Sequence, residues 1–106
     1  MVKKALICLG DGFDELQAIA PIAMLRKLDC ELLIATLGEN RHVPIIGAER
    51  TRIMPDLSIE SCHNEKWDAI LLVAGELNVR ECCKVLSNHF KFEIFDIIYT
   101  FMYYDK

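Results

Sequence analysis

The feature that most constrains the fold is a short stretch near the N-terminus, where an apolar run meets a glycine turn. Residues 5–9 are continuously apolar, which is typical of a central parallel strand covered on both faces. Gly10 and Gly12 permit a tight turn, and Asp11 and Asp14 can cap a following helix. Ligands of open α/β sheets bind just beyond the carboxyl ends of such strands. The stretch therefore predicts an α/β sheet with any site beginning at this turn.

The chain after the turn alternates helix and strand. Residues 14–28 are predicted as one helix kinked at Pro21, and residues 31–37 and 68–73 as two further buried strands. Apolar residues recur along the helix at three- and four-residue spacing. We expect its inward stripe to consist of Leu16, Ile19, Ala20, Ala23, Met24 and Leu28. The pattern predicts a doubly wound, mostly parallel sheet with helices on both faces.

Shorter elements lie between and after these strands. Residues 43–46 and 51–54 predict a hairpin, and a short helix is expected at 58–64. After the third core strand, a helix is predicted at residues 79–88. These elements complete a domain that we assign to residues 1–88.

Residues 89–106 form a divergent hydrophobic tail rich in isoleucine and aromatic residues. Ile94, Ile97, Ile98 and Phe101 also fit a helical stripe, so periodicity alone leaves the type of element open. The segment is also long enough for a strand and rich in β-branched and aromatic residues. We expect residues 93–102 to pair in parallel with residues 69–73.

Composition limits the classes of partner. The chain has 106 residues, a net charge of −4 and a pI near 5.3, which disfavour nucleic acid and anionic membranes as partners. No apolar run is long enough to span a bilayer, and no signal-peptide pattern is present, so a cytoplasmic protein is expected. The five cysteines are expected to be free thiols. Neither a metal site nor a cofactor is expected.

The glycine turn does not match the common phosphate-binding patterns. A dinucleotide fingerprint places a third glycine where this chain has Glu15, whose carboxylate would repel a pyrophosphate. A phosphate P-loop is absent from the sequence. The cluster of Asp11, Asp14 and Glu15 allows two interpretations: an acid that orients or activates a nucleophile, or helix capping.

Seven segments of the chain match a known family in order, at residues 4–7, 12–16, 19–21, 25–26, 31–37, 54–56 and 67–75. They resemble the N-terminal half of the DJ-1/PfpI family, closest to its DJ-1 branch. The resemblance implies a flavodoxin-like fold related to class I glutamine amidotransferases, and commonly a homodimer. It also implies a nucleophilic cysteine on a strained elbow, a glutamate on the first helix and an anion pocket at a Pro-Gly-Gly turn. Family activities include glyoxalase, deglycase, chaperone and peptidase functions and oxidative-stress sensing.

In the family, the strand that carries the elbow lies beside residues 68–73. Without it that strand has an unpaired edge, which favours a strand at residues 93–102.

The chemical positions of the family are altered in this chain. The family glutamate aligns with Gln17 and not with Glu15, and the Pro-Gly-Gly turn retains only Gly75. No cysteine follows residue 88, where the elbow would lie, and none of the five is expected at the turn beside Gly12. The pocket positions retained or altered are therefore Gly12, Glu15, Gln17 and Gly75, and no catalytic residue is predicted.

These departures predict a truncated, non-catalytic DJ-1/PfpI-like protein, which forms a homodimer or a heterodimer with a full-length relative. Two alternatives remain open from the sequence. One is an active thiol-dependent enzyme of the glyoxalase III or protein deglycase type with displaced residues. The other is an unrelated flavodoxin-like binding module.

Overall fold

A computed structural model of the chain describes residues 3–38, 40–62, 66–73 and 97–99. The predicted helix at residues 79–88 lies outside these ranges, as do Gly75, Cys82 and Cys83. The described elements, in chain order, are β1 (Lys4–Leu9), α1 (Glu15–Lys27), β2 (Glu31–Thr36), β3 (Ile45–Ile46), β4 (Arg52–Ile53), β5 (Leu57–Ser58), a 3-10 turn (Ile59–Ser61), β6 (Ala69–Val73) and β7 (Ile97–Tyr99).

Five strands form one parallel sheet in the order β5-β2-β1-β6-β7. The central strand, β1, pairs with β2 from Lys4↔Glu31 to Leu9↔Thr36 and with β6 from Ala5↔Ala69 to Leu9↔Val73. From β1 the chain adds β2 and β5 on one side and then β6 and β7 on the other, which makes this a doubly wound arrangement, as predicted. A separate antiparallel hairpin joins β3 to β4, which confirms the hairpin predicted around Gly47.

Alternation along β1 divides the core into two clusters on opposite faces of the sheet. The first face is covered by α1 and the hairpin, and its cluster contains Ala5, Ile7, Leu9, Phe13, Ala18, Ile22, Leu32, Ile34, Ile45, Leu71 and Val73. The second cluster contains Leu6, Cys8, Ala35, Ile59, Cys62, Ile70 and Leu72. Both faces of β1 are therefore buried, as its continuous apolar sequence requires.

The predicted inward stripe of α1 is wrong. Ala18 and Ile22 are buried against the sheet, and the half-buried Leu25 packs beside them. The predicted residues Leu16, Ile19, Ala20, Ala23, Met24 and Leu28 are all exposed. The physical reason is that α1 is apolar on nearly every side, so the spacing of its apolar residues does not determine its rotation. Pro21 lies inside a helix that is continuous over Glu15–Lys27.

The short helix predicted at residues 58–64 is a 3-10 turn over Ile59–Ser61, and residues 63–65 lie outside the described ranges. The carbonyl of Cys62, the residue after the turn, explains why the turn ends there. The Trp67 indole Nε1 donates to the Cys62 carbonyl at 3.0 Å, which takes an acceptor that a continuing helix would use. The Cys62 thiol is buried and donates to the Ser58 carbonyl at 3.2 Å.

The strand predicted in the tail is confirmed for Ile97–Tyr99, which pairs in parallel with β6 from Ile70↔Ile97 to Leu72↔Tyr99. The remainder of residues 93–102 lies outside the described ranges. An edge strand of three described residues thus extends the sheet where the sequence predicted that β6 needed a partner.

The C-terminus of α1 offers a stabilising substitution at Asp29, which has the left-handed φ of 59°. The backbone N–H groups of Asp29 and Cys30 bond back to the carbonyls of Arg26 and Leu25, a helix end that favours glycine. We expect Asp29→Gly to raise the free energy of unfolding by about 0.5–1 kcal/mol. Urea denaturation measures it, and an unchanged or lower midpoint would show that Asp29 is not strained.

Candidate functional site

The turn between β1 and α1 lies at the carboxyl edge of the sheet. The Gly10 N–H donates to the Val73 carbonyl at 3.4 Å, which ties the turn to the end of β6. The Phe13 N–H returns to the Gly10 carbonyl at 3.2 Å, and Gly12 has a φ of 84° that glycine adopts without strain. The turn therefore occupies the position where open α/β sheets place their ligands.

Asp14 is the N-cap of α1. Its Oδ1 accepts a hydrogen bond from the Gln17 N–H at 3.1 Å, and its carbonyl accepts the Ala18 N–H at 3.0 Å. The bond to Oδ1 gives the Gln17 N–H an acceptor that the first turn of a helix does not provide. For Asp14, the capping interpretation of the acidic cluster is confirmed.

Glu15 reaches from the first turn of α1 to the β3–β4 hairpin. Its Oε2 accepts hydrogen bonds from the N–H groups of Glu49 at 2.7 Å and Thr51 at 3.3 Å. Desolvation favours a higher pKa for Glu15, but hydrogen bonds from the backbone of Glu49, Glu15 and Thr51 and from the Thr51 hydroxyl outweigh it. The pKa of Glu15 is therefore lowered from its usual 4.5.

Asp11 holds the same hairpin from the other side of the turn, because its Oδ1 accepts the Ile46 N–H at 3.0 Å. Asp11 and Glu15 thus bind backbone groups of the hairpin, a role that sequence reasoning missed. Residue types gave no signal for this role, because the partners are backbone N–H groups more than thirty residues away in the sequence.

Gly12 lies in the glycine turn, and Glu15 and Gln17 lie in the first turn of α1. That these residues line the family pocket stays a prediction. Gln17 is half-buried in the first turn of α1. Gly75 lies outside the described residues, so its position relative to them stays a prediction. Glu15 is hydrogen-bonded to the hairpin, and the alignment of Gln17 with the family glutamate stays a prediction.

The described cysteines lie away from this turn. Cys8 is buried in the middle of β1, with its side chain in the second cluster together with Cys62. Cys30 is half-buried and immediately precedes β2, at the amino edge of the sheet. Within the described ranges, therefore, no cysteine reaches the glycine turn.

Among the described residues, no three histidine, cysteine, aspartate or glutamate side chains are grouped so that they could hold a metal ion. No helix in the same ranges combines the length and apolar character required to cross a membrane.

A family model described as the DJ-1/PfpI family matches residues 3–92. The Parkinson disease protein 7 homolog of Danio rerio is 28% identical over 79 residues, which are 74% of this chain and 41% of that protein. Protein DJ-1 homolog B of Arabidopsis thaliana is 24% identical over 70 residues, which are 66% of this chain and 16% of that protein. The chain thus spans less than half the length of these relatives.

Solved structures show the same fold. Drosophila melanogaster DJ-1beta superposes with a TM-score of 0.65 at 26% identity, over 72% of this chain and 40% of that chain. Oxidized Toxoplasma gondii DJ-1 superposes with a TM-score of 0.69 at 21% identity, over 82% of this chain and 47% of that chain. The parallel sheet described here therefore corresponds to part of a larger flavodoxin-like fold.

Proposed function

Because this chain belongs to the DJ-1/PfpI family, we propose that it is a non-catalytic member that acts by pairing with another protein chain. Its partner in this proposal is a second copy of itself, bound at the outer face of α1. We define the outer face by its exposed residues Leu16, Ile19, Ala20, Ala23, Met24 and Leu28. Membership of the family excludes the alternative of an unrelated flavodoxin-like module.

The observation that carries the proposal is the exposure of the outer face. Leu16 is 82% exposed, Met24 62% and Leu28 72%, on a helix whose opposite side is already packed on the sheet. A helix that is apolar on both sides is typically covered on both sides. Contiguous exposed apolar surface of this kind is characteristic of protein–protein interfaces.

A second copy is the occupant that best fits this surface. Family members are commonly dimeric, and a helix face that is apolar except for Lys27 in its last turn can pack on its own copy about a twofold axis. Each copy would then cover the side chains that the other leaves in water. A heterodimer with a full-length relative would use the same face and is distinguished by the solution measurements described below.

Gln17 supports the absence of catalysis. A carboxylate at this position would hydrogen-bond the family thiol and set its pKa, whereas the amide of Gln17 carries no charge and takes up no proton. The buried side chains of Cys8 and Cys62 lie in the core, away from the turn. The oxidative-stress and glyoxalase or deglycase chemistry of the family depends on an accessible thiolate, so we propose that this chain lacks it.

We place the protein in the cytoplasm. The sequence has five cysteines, an odd number, which suits a compartment that glutathione and thioredoxin keep reduced. In an oxidising compartment, the half-exposed Cys30 would be oxidised before the buried Cys8 and Cys62.

Methylglyoxal turnover tests the proposal against the alternative of an active thiol-dependent enzyme. We expect consumption of methylglyoxal to equal that of buffer for the wild type and for Gln17→Glu, because restoring the carboxylate does not supply a thiolate beside it. Loss of methylglyoxal is followed spectrophotometrically.

The matched control is a variant with all five cysteines replaced by serine. Wild-type turnover that this variant loses would establish thiol catalysis and overturn the proposal. Turnover that survives in it would overturn the proposal as well, and would identify a nucleophile other than cysteine.

A further inference from the structure

The β3–β4 hairpin is attached to the glycine turn by a row of hydrogen bonds, which we call the seam. Two are backbone bonds: Gly12 N–H to the Ile46 carbonyl at 2.7 Å and Ala48 N–H to the Phe13 carbonyl at 2.9 Å. The other three end on carboxylates, namely Ile46 N–H on Asp11 and the Glu49 and Thr51 N–H groups on Glu15. The seam therefore depends on side-chain charge as well as on backbone pairing.

The hairpin has little internal support. Each of its strands has two residues, and isolated two-stranded hairpins are marginal in water. Its loop also contains Arg50 at a φ of 72°, a left-handed conformation that is unfavourable for arginine. Its position over the first core cluster is consequently set by the seam and by the packing of Ile45 and Ile53.

Gly47 shows that the carboxylate of Glu15 is closely fitted to the hairpin. A Cβ at position 47 would lie 2.5 Å from Glu15 Oε2 and 3.0 Å from the Phe13 ring. Carboxylate, ring and hairpin backbone are thus in mutual contact. Only a residue without a side chain at position 47 leaves room for the carboxylate to reach the Glu49 and Thr51 N–H groups.

We propose that Glu15 is a latch that keeps the β3–β4 hairpin closed over Phe13, and that the hairpin opens as a local unit when this carboxylate is lost. Opening exposes Phe13 and Ile45, which are 0% and 2% exposed in the closed form. The sheet beneath keeps its pairing, because β1 is held by β2 and β6 independently of the hairpin. The hairpin is thereby a flap whose closure a single side chain controls.

The charged groups around the latch come from both elements that meet at the seam. The turn and the start of α1 contribute Asp11 and Asp14, and the hairpin contributes Glu49, Arg50 and Arg52. Because the folded-state pKa of Glu15 is lowered, ionisation stabilises the closed form above the unfolded pKa, and this stabilisation is lost as pH falls through the folded pKa. The latch is thus closed at neutral pH and opens only under acidic conditions.

Amide hydrogen exchange resolved by NMR tests the latch. In Glu15→Gln at neutral pH, we expect the protection factors of the Glu49 and Thr51 amides to fall about tenfold or more, since an amide oxygen accepts more weakly than a carboxylate. The protection factor of Ile7 in β1 is expected to stay unchanged, which distinguishes local opening from global unfolding. Gly47→Ala is expected to reproduce this pattern by displacing the carboxylate.

The matched control is Glu60→Gln, which removes one carboxylate from the exposed 3-10 turn. It is expected to leave all three protection factors unchanged. Unchanged protection at Glu49 and Thr51 in Glu15→Gln, or an equal loss at Ile7, would overturn the proposal. If Glu15→Gln does not fold, a wild-type titration decides: loss of protection at Thr51 before Ile7 as pH falls supports the latch, and simultaneous loss rejects it.

Discussion

Replacing Leu16 and Met24 together by glutamate is expected to convert the protein from a dimer into a monomer. Both side chains lie on the outer face of α1 and would be buried in the dimer. Burial of a large apolar side chain contributes about 1.5–3 kcal/mol. Losing two such contributions and placing like charges across the twofold axis raises the dissociation constant by about a hundredfold or more.

Sedimentation velocity over a range of concentrations measures this change, and circular dichroism establishes that the variant is folded. Folding is expected to persist because both positions are exposed and Leu16 lies near the helix N-terminus, where a negative charge is favourable. The matched control is Val43→Glu, which removes a 53% exposed apolar side chain outside α1.

Three outcomes are informative. A wild-type dimer that only the double variant dissociates supports pairing through the outer face. The wild type could instead be a monomer that binds a full-length relative. If the double variant loses this binding, the result would support the heterodimer in place of the homodimer. A dimer equally stable in wild type and double variant would show that the outer face is not the interface.

The rotation of α1 illustrates what the sequence could not determine. Residues spaced three and four apart form two apolar stripes on this helix, one through Leu16 and Met24 and another through Ala18 and Ile22. Periodicity selects a stripe only when the remaining surface is polar. Here the choice depends on tertiary contacts, with Ala18 and Ile22 on the sheet and Glu15 bonded to the hairpin.

The strands were predictable because each buried strand has a continuous apolar sequence ended by glycine or polar residues. β2 and β6 lie within the segments predicted for them, and β1 covers the apolar run at residues 5–9 together with Lys4. The ends of the 3-10 turn were not predictable, because they depend on the indole of Trp67, five residues after Cys62 in the chain. Contacts of this kind become visible only when distant segments are packed together.

The acidic cluster shows which part of the candidate site could be predicted from the sequence and which part could not. Its position at the carboxyl end of β1 was predictable from the glycine turn, and so was the capping role of Asp14. The partners of Asp11 and Glu15 were not, because they are backbone N–H groups more than thirty residues away in the sequence. Residue types alone therefore could not separate an acid that serves chemistry from one that binds the hairpin.

Deleting residues 91–106 is expected to lower both the solubility and the thermal midpoint of the protein. The deletion removes β7, which pairs with β6 at Ile70, Leu71 and Leu72. The backbone groups of β6 on that side would lose their partners, and an unpaired apolar edge strand promotes aggregation. Each lost backbone hydrogen bond costs about 0.5–1.5 kcal/mol. In a domain of this size, 1 kcal/mol corresponds to a shift of about 4–8 °C.

A shorter deletion of residues 101–106 is the matched control, because it retains Ile97–Tyr99 and therefore the pairing with β6. The soluble fraction after expression and the thermal midpoint followed through Trp67 fluorescence report the two effects. We expect the shorter deletion to stay close to the wild type and the longer one to lose at least about 5 °C. If both deletions match the wild type, β7 does not stabilise the sheet, and β6 tolerates an open edge.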